Sequence, residues 1–213
     1  VNIGLYGGTF NPIHFGHLRA AEEIWHKFRL GKIIFIPSAQ PPHKTAEDII
    51  DPLHRIKMIT LAITGNDHFT VDDIEVNRPG KSYTIDTIRE LKKRNPEKNL
   101  HFILGLDAFL EINTWHHWKE LFAETDFVVT SRPNVGKIPK GKIIPREIRK
   151  QFKYHPEQNL YTHKSGCKVF FTEVTNLDIS ASAIRKMVRE GQSIRYLMPR
   201  RAIEYIIENK LYR

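Results

Sequence analysis

Six short apolar runs, separated along most of the chain by stretches of helical spacing, limit this sequence more than any other feature. The runs are residues 2–6, 32–37, 69–74, 100–104, 126–130 and 168–172. They are rich in Ile, Val and Phe and read as strands. Between them Leu18, Ala21, Trp25 and Phe28, then Ile56, Ile59 and Ile63, then Ile85, Ile88 and Leu91 each line one face of a helix. Near-continuous apolar strands alternating with amphipathic helices require a parallel sheet covered on both faces, wound with right-handed crossovers. The expected fold class is therefore α/β, a doubly wound parallel sheet. Its ligands belong beyond the carboxyl ends of the strands, where strand order reverses.

Two further helices are expected near the end. One starts near Ser180 and carries Ile184, Met187 and Val188; the other starts near Pro199 and carries Ile203, Ile206 and Ile207. The stretch from Arg132 to Ser165, with "KIPKGKIIPREIRK", has few apolar residues in register. It reads as a basic surface excursion, about 133–165, on a single domain spanning 1–213.

Composition narrows the function classes. At 213 residues, 27% charged and 40% hydrophobic, the chain can bury one substantial core. No apolar run is long enough to cross a bilayer, and no charged-then-apolar leader opens the sequence, so a cytoplasmic location without membrane association is the expectation. Cys167 is the only cysteine, which leaves no internal disulfide and no thiolate zinc site. The formal charge of +9 points to an anionic partner: nucleic acid, a membrane surface or a polyphosphate.

The segment "GGTFNPIHFGH", residues 7–17, sits between the first strand and the first helix. Gly7 and Gly8 reach the carboxyl edge of the sheet, where a phosphate could approach backbone N–H groups. The following helix start turns its N–H groups and positive dipole end toward the same point. His14 and His17 are three residues apart and fall on one side of it. No Gly-Lys-Ser/Thr follows and the GxGxxG spacing is missing, so neither a Walker loop nor a dinucleotide fingerprint is present. Zinc is disfavoured, because a third ligand is not apparent nearby and the dipole opposes a cation. A second cluster, "DISASAIRKMVREG", starts a helix with Ser180 or Ser182 at its cap and Arg185 within its first turns, a second phosphate site.

Together, "GGTFNPIHFGH" and "ISASAIR" resemble the HxGH nucleotidylyltransferases, which share a Rossmann-like fold. "PSAQPPHK", "PGKSYTIDTIREL", "FILGLDAFLEINTWHHW", "SRP" and the closing "LYR" are similar to the nicotinate-nucleotide adenylyltransferase family. The resemblance covers nearly the whole chain and is weakest in the basic excursion. It implies transfer of AMP from ATP to nicotinate mononucleotide, giving deamido-NAD and pyrophosphate in NAD biosynthesis, with Mg2+ carried on the phosphates. It implies that His14, His17 and Arg185 act on the triphosphate and that Gly7, Gly8, Thr9, Phe10, Gly105, Asp107, Ile179 and Ser180 line the ATP site. The mononucleotide falls to His43, Lys44, Tyr83, Thr84, Trp115 and Arg132, with Trp115 under the pyridine ring and Trp118 left to the core. Asp107 and Trp115 have blander readings, as a helix cap and as core packing. Asn11 departs from the Asp of many family members, and since both suit the turn before Pro12 the loop is expected to survive the change.

Three alternatives stay open at this level. The acceptor could be nicotinamide mononucleotide, or another phosphate such as phosphopantetheine, against which "SYTIDT" and "NTWHHW" argue. A basic nucleic-acid-binding protein would also explain the charge, but the sequence carries no helix-turn-helix, RNA-recognition or zinc-finger pattern. The oligomeric state, a homo-oligomer included, is not legible.

Overall fold

A computed structural model describes residues 2–40, 49–131 and 143–213. All six expected strands form: β1 (Asn2–Gly8), β2 (Lys32–Pro37), β3 (Phe69–Val71), β4 (Asn99–Gly105), β5 (Asp126–Ser131) and, after the additional β6 (Phe152–His155) and β7 (Leu160–His163), β8 (Lys168–Glu173). They make one sheet of order β3-β2-β1-β4-β5-β8-β7-β6. The pairings from β3 through β8 are parallel, whereas β6 and β7 are antiparallel additions at one edge. The chain steps outward from β1 to β3 and then returns to the other side of β1 as β4. That reversal is the switch point at which open α/β sheets bind ligands.

The helices are α1 (Phe15–Lys27), α2 (Pro52–Ala62), α3 (Thr84–Arg94), α4 (Leu106–Leu110), α5 (Trp118–Glu124), α6 (Ala181–Arg189) and α7 (Arg200–Glu208). Side chains alternate across each strand, so both sheet faces are apolar. Ile34 and Ile36 of β2 join a core with Ile85, Ile88 and Leu91 of α3 and Phe122 of α5. Ile33 and Phe35 join the opposite core with Ile24 of α1, Met58 and Ile59 of α2, Ile184 of α6 and Ile206 of α7. Two cores on one sheet are the doubly wound arrangement expected from the sequence.

Four details differ from the sequence reading. Strand β3 ends at Val71 rather than Ile74, because Asp72 Oδ1 accepts the Ile74 N–H at 2.9 Å and turns the chain. The buried face of α2 is Arg55, Met58 and Ile59, with Ile56 only half-buried. In α7 the face is Ala202, Ile203 and Ile206, and Ile207 is exposed. The stretch read as a surface excursion is not wholly peripheral: it supplies the β6–β7 hairpin, and Ile144 and Ile148 are buried in the core. Strands of four residues among lysines and histidines are too short for their periodicity to stand out.

Candidate active site

The loops after β1 and β4 meet at the switch point. Gly7 and Gly8 are fixed there by packing as much as by ligand access: a Cβ on Gly7 would lie 2.9 Å from the Phe102 ring, and one on Gly8 would lie 2.9 Å from the Phe10 ring. Phe10 is itself buried, with φ of 47°, and stands edge-on to Tyr6, Phe35 and His17 with ring centroids 5.6, 5.7 and 5.2 Å away. This ring therefore connects the glycine turn to the histidine pair. Burial pushes the Tyr6 hydroxyl pKa up, and the negative charge of Asp107 adds to the shift.

His14 is the cap of α1, and its ring stacks on His17 with centroids 3.7 Å apart. The His14 backbone N–H donates to His17 Nδ1 at 3.2 Å, which leaves Nε2 as the N–H nitrogen of a neutral His17. Gly16 leaves room for this stack, since a Cβ there would lie 3.0 Å from two atoms of the His14 ring. The helix start offers fewer open N–H groups than the sequence suggests: Phe15 donates to the Leu197 carbonyl, and His17 donates to the His14 carbonyl. More of any anion binding then falls to the imidazoles.

The start of α6 lies beside that of α1, with the Ile179 carbonyl 3.8 Å from the point where a Gly16 Cβ would sit. Ser180 caps α6, its Oγ accepting the Ala183 N–H at 3.2 Å. Arg185 reaches back along the helix and past the cap, donating from Nη1 to the Asn11 carbonyl at 2.8 Å. Asn11 precedes a cis peptide to Pro12, is buried, and accepts the Tyr212 hydroxyl on Oδ1 at 2.9 Å. The closing "LYR" thus has a physical role in holding the turn.

Beside these groups opens a cavity of about 430 Å³. Of the residues expected at the site, Gly7, Gly8, Thr9, Tyr83, Thr84, Gly105, Asp107 and Trp115 line it, whereas Phe10, His14, His17, Ile179, Ser180 and Arg185 are not part of the lining and connect to it through the contact of Phe10 with Gly8 and His17. Asp107 lies in the first turn of α4 and folds over Gly105, its Oδ1 2.5 Å from where a Gly105 Cβ would be. The cap of α4 is Gly105, with no side-chain cap bond, so Asp107 is a first-turn residue that lines the cavity rather than the cap. Trp115 is half-buried and edge-on to Phe102, with centroids 6.2 Å apart. Tyr83 caps α3 and stacks on His116 at 4.2 Å. Trp118 packs against the core as expected. His43, Lys44 and Arg132 lie outside the described residues.

Three buried polar residues were not found from the sequence. Arg55 is fully buried and donates to the carbonyls of Thr9 (2.8 Å), Ile50 (3.2 Å) and Ala39 (3.4 Å). Burial lowers its pKa, opposed by Tyr212, Asp51 and Glu75. Ser82 and Glu75 line the cavity and are also buried. Ser82 Oγ accepts the N–H groups of Ala39 and Gln40 at 2.9 and 3.2 Å, and Glu75 accepts the Thr87 hydroxyl at 2.7 Å. Burial pushes the Glu75 pKa up, against lowering by its bonds to Thr87 and Ser82 and by Arg78 and Arg55. The signal for Arg55 was present: an arginine three and four residues before Met58 and Ile59 falls on the apolar stripe.

Residues 5–187 match the cytidylyltransferase-like family. A Geobacter metallireducens protein named "Probable nicotinate-nucleotide adenylyltransferase" is 44% identical over 209 residues, covering 98% of this chain and 97% of its own length. A Geobacter sulfurreducens protein of the same name is 43% identical with the same coverage. Among solved structures, Plasmodium falciparum nicotinic acid mononucleotide adenylyltransferase complexed with NaAD superposes with a TM-score of 0.73 at 22% identity, over 99% of this chain and 97% of that one. At that identity the likeness establishes the fold.

Proposed function

The chain belongs to the cytidylyltransferase-like family, alongside its nicotinate-nucleotide adenylyltransferase members, and from that membership we propose that it transfers AMP from ATP to nicotinate mononucleotide, giving deamido-NAD and pyrophosphate. The observation that carries the reading is the pairing, at one switch point, of two converging helix starts bearing His14, His17 and Arg185 with a cavity walled by Trp115, Tyr83 and Thr84. One half suits a triphosphate; the other suits a flat ring with a polar substituent.

In the reaction an oxygen of the mononucleotide 5′-phosphate forms a bond to the α-phosphorus of ATP. The bond from that phosphorus to the bridging oxygen of pyrophosphate breaks, and pyrophosphate leaves with the electron pair. A phosphate monoester is largely ionised at neutral pH, so no side chain need remove a proton. This chain contributes position and charge. His14 and His17 donate to the phosphates beside the glycine turn, and Arg185, held by Asn11, adds positive charge next to them. Asp107 accepts from a ribose hydroxyl, Trp115 stacks on the pyridine, and the start of α3 at Tyr83 and Thr84 faces its carboxylate. His43, Lys44 and Arg132 supply further positive charge to the phosphates, and the net charge of +9 steers anionic substrates inward.

Magnesium fits as a passenger on the triphosphate. Mg2+ is content with phosphate oxygens and water, so the triphosphate itself would carry it. When bound it neutralises phosphate charge.

The test is to supply ATP labelled on the α-phosphate with magnesium and nicotinate mononucleotide, using His17→Ala as the control. Label should pass into the dinucleotide with one pyrophosphate released per turnover, and the control should lose turnover by orders of magnitude while keeping its fold. Label remaining in AMP or ATP would contradict the reading, and a control of near-normal activity would remove His17 from the chemistry.

A further inference from the structure

We infer that Arg55 is a positioning residue that sets the glycine-turn loop against the mononucleotide end of the cavity, acting through the backbone of residues 39–40. The inference rests on the adenylyl-transfer reading above.

Arg55 is 0% exposed on the inner face of α2. A methionine or leucine there would fill the same core without the cost of desolvating a charge. The planar guanidinium instead spans three pieces of chain at once: Thr9 after β1, Ala39 after β2, and Ile50 before α2. From Ala39 the contacts continue. The Ala39 and Gln40 N–H groups donate to Ser82 Oγ, and the Ser82 N–H returns to the Gln40 carbonyl at 3.4 Å. Glu75, which lines the same wall of the cavity, accepts the Thr87 hydroxyl in the first turns of α3. A run of contacts therefore leads from Thr9, beside the proposed phosphate site, through the buried Arg55 to residues 39–40 and on to the buried Ser82, which directly precedes the helix start at Tyr83 and Thr84.

A two-substrate displacement needs both substrates held in one relative placement, and walls that drift from that placement weaken the hold on each of them. Here the two substrates are held by different elements, the end of β1 and the start of α3. Arg55 and Ser82 grip the segment between them from opposite sides and fix their separation.

The test is Arg55→Lys, which keeps the charge and stem but offers one ammonium where three carbonyls were spanned, with Ser82→Ala and the double variant. With the melting profile retained, Arg55→Lys should raise KM about tenfold for ATP and for nicotinate mononucleotide alike. Ser82→Ala should raise the ATP KM as well, although Ser82 belongs to the other end, and the double variant should cost no more than the worse single one. A merely structural arginine would lower the active fraction, hence kcat, and leave both KM values within twofold; that result overturns the inference. If Arg55→Lys does not fold, Ser82→Ala decides alone, and an unchanged ATP KM overturns it. A wild-type protein without turnover would contradict the functional reading instead. ATP affinity measured by calorimetry would then decide, with a tenfold loss in the variants supporting the role of Arg55 and equal affinity overturning it.

Discussion

The hydroxyl of Tyr212 donates to Asn11 Oδ1 at 2.9 Å, joining residues 201 positions apart in a buried contact. Burial raises the Tyr212 pKa, so the phenol stays protonated and remains a donor at neutral pH. Arg185 holds the carbonyl of the same Asn11. The turn that presents the histidines is thus braced by two elements from the far end of the chain. Tyr212→Phe removes one buried hydrogen bond to the Asn11 side chain, at about 0.5–1.5 kcal/mol. The expected outcome is a Tm lower by a few degrees, at about 2–4 °C per kcal/mol for a chain of this size, and a raised ATP KM. An unchanged Tm would show the brace to be dispensable.

Gly16 separates geometry from stability. A methyl group there presses on the His14 ring at 3.0 Å, while exchange of glycine for alanine inside a helix favours the fold by about 1 kcal/mol. Gly16→Ala should therefore lose about tenfold or more in kcat without loss of Tm. Normal turnover would show that the stacked histidine geometry is not needed.

Trp115 lines the cavity and also leans on Phe102. If its face stacks on the pyridine, Trp115→Ala should raise the mononucleotide KM about tenfold, in keeping with about 1–3 kcal/mol for stacking of a base on an aromatic ring. The ATP KM should move little, and Trp115→Phe should recover most of the loss. A lower Tm with an unchanged KM would return Trp115 to the core.

Glu75 gives a dependence on pH. Its folded pKa is raised by burial, so the folded chain binds this proton more readily than the unfolded one, whose glutamates titrate near 4.3. Stability contributed by this group falls as pH rises from that value through the raised one. Glu75→Gln can still accept from Thr87 and carries no such dependence. The Tm of the variant relative to wild type should climb between about pH 4 and neutrality, and a flat difference would contradict the shift.

The sheet was legible because Ile34 and Ile36 on one face and Ile33 and Phe35 on the other leave β2 apolar throughout, a pattern that only a doubly covered strand tolerates. The histidine pair was legible because spacing alone puts His14 and His17 together at a helix start. The burial of Arg55 was signalled by its place on the apolar stripe of α2, but its role was not, since its partners include backbone carbonyls 16 and 46 residues away, which no side-chain pattern reports. The same holds for Tyr212 and Asn11, whose pairing depends on where α7 packs. The β6–β7 hairpin was obscured because its strands are short and flanked by charge. Asn11 was expected to preserve the turn, and its amide oxygen and carbonyl each serve as an acceptor there.

The most direct measurement is kcat/KM with ATP and magnesium for nicotinate mononucleotide and, separately, for nicotinamide mononucleotide. The two acceptors differ only in the ring substituent, acid or amide, which the proposed mode of binding sets against the start of α3 at Tyr83 and Thr84. A strong preference for the acid is predicted. Preference for the amide, or silence with both, would contradict it.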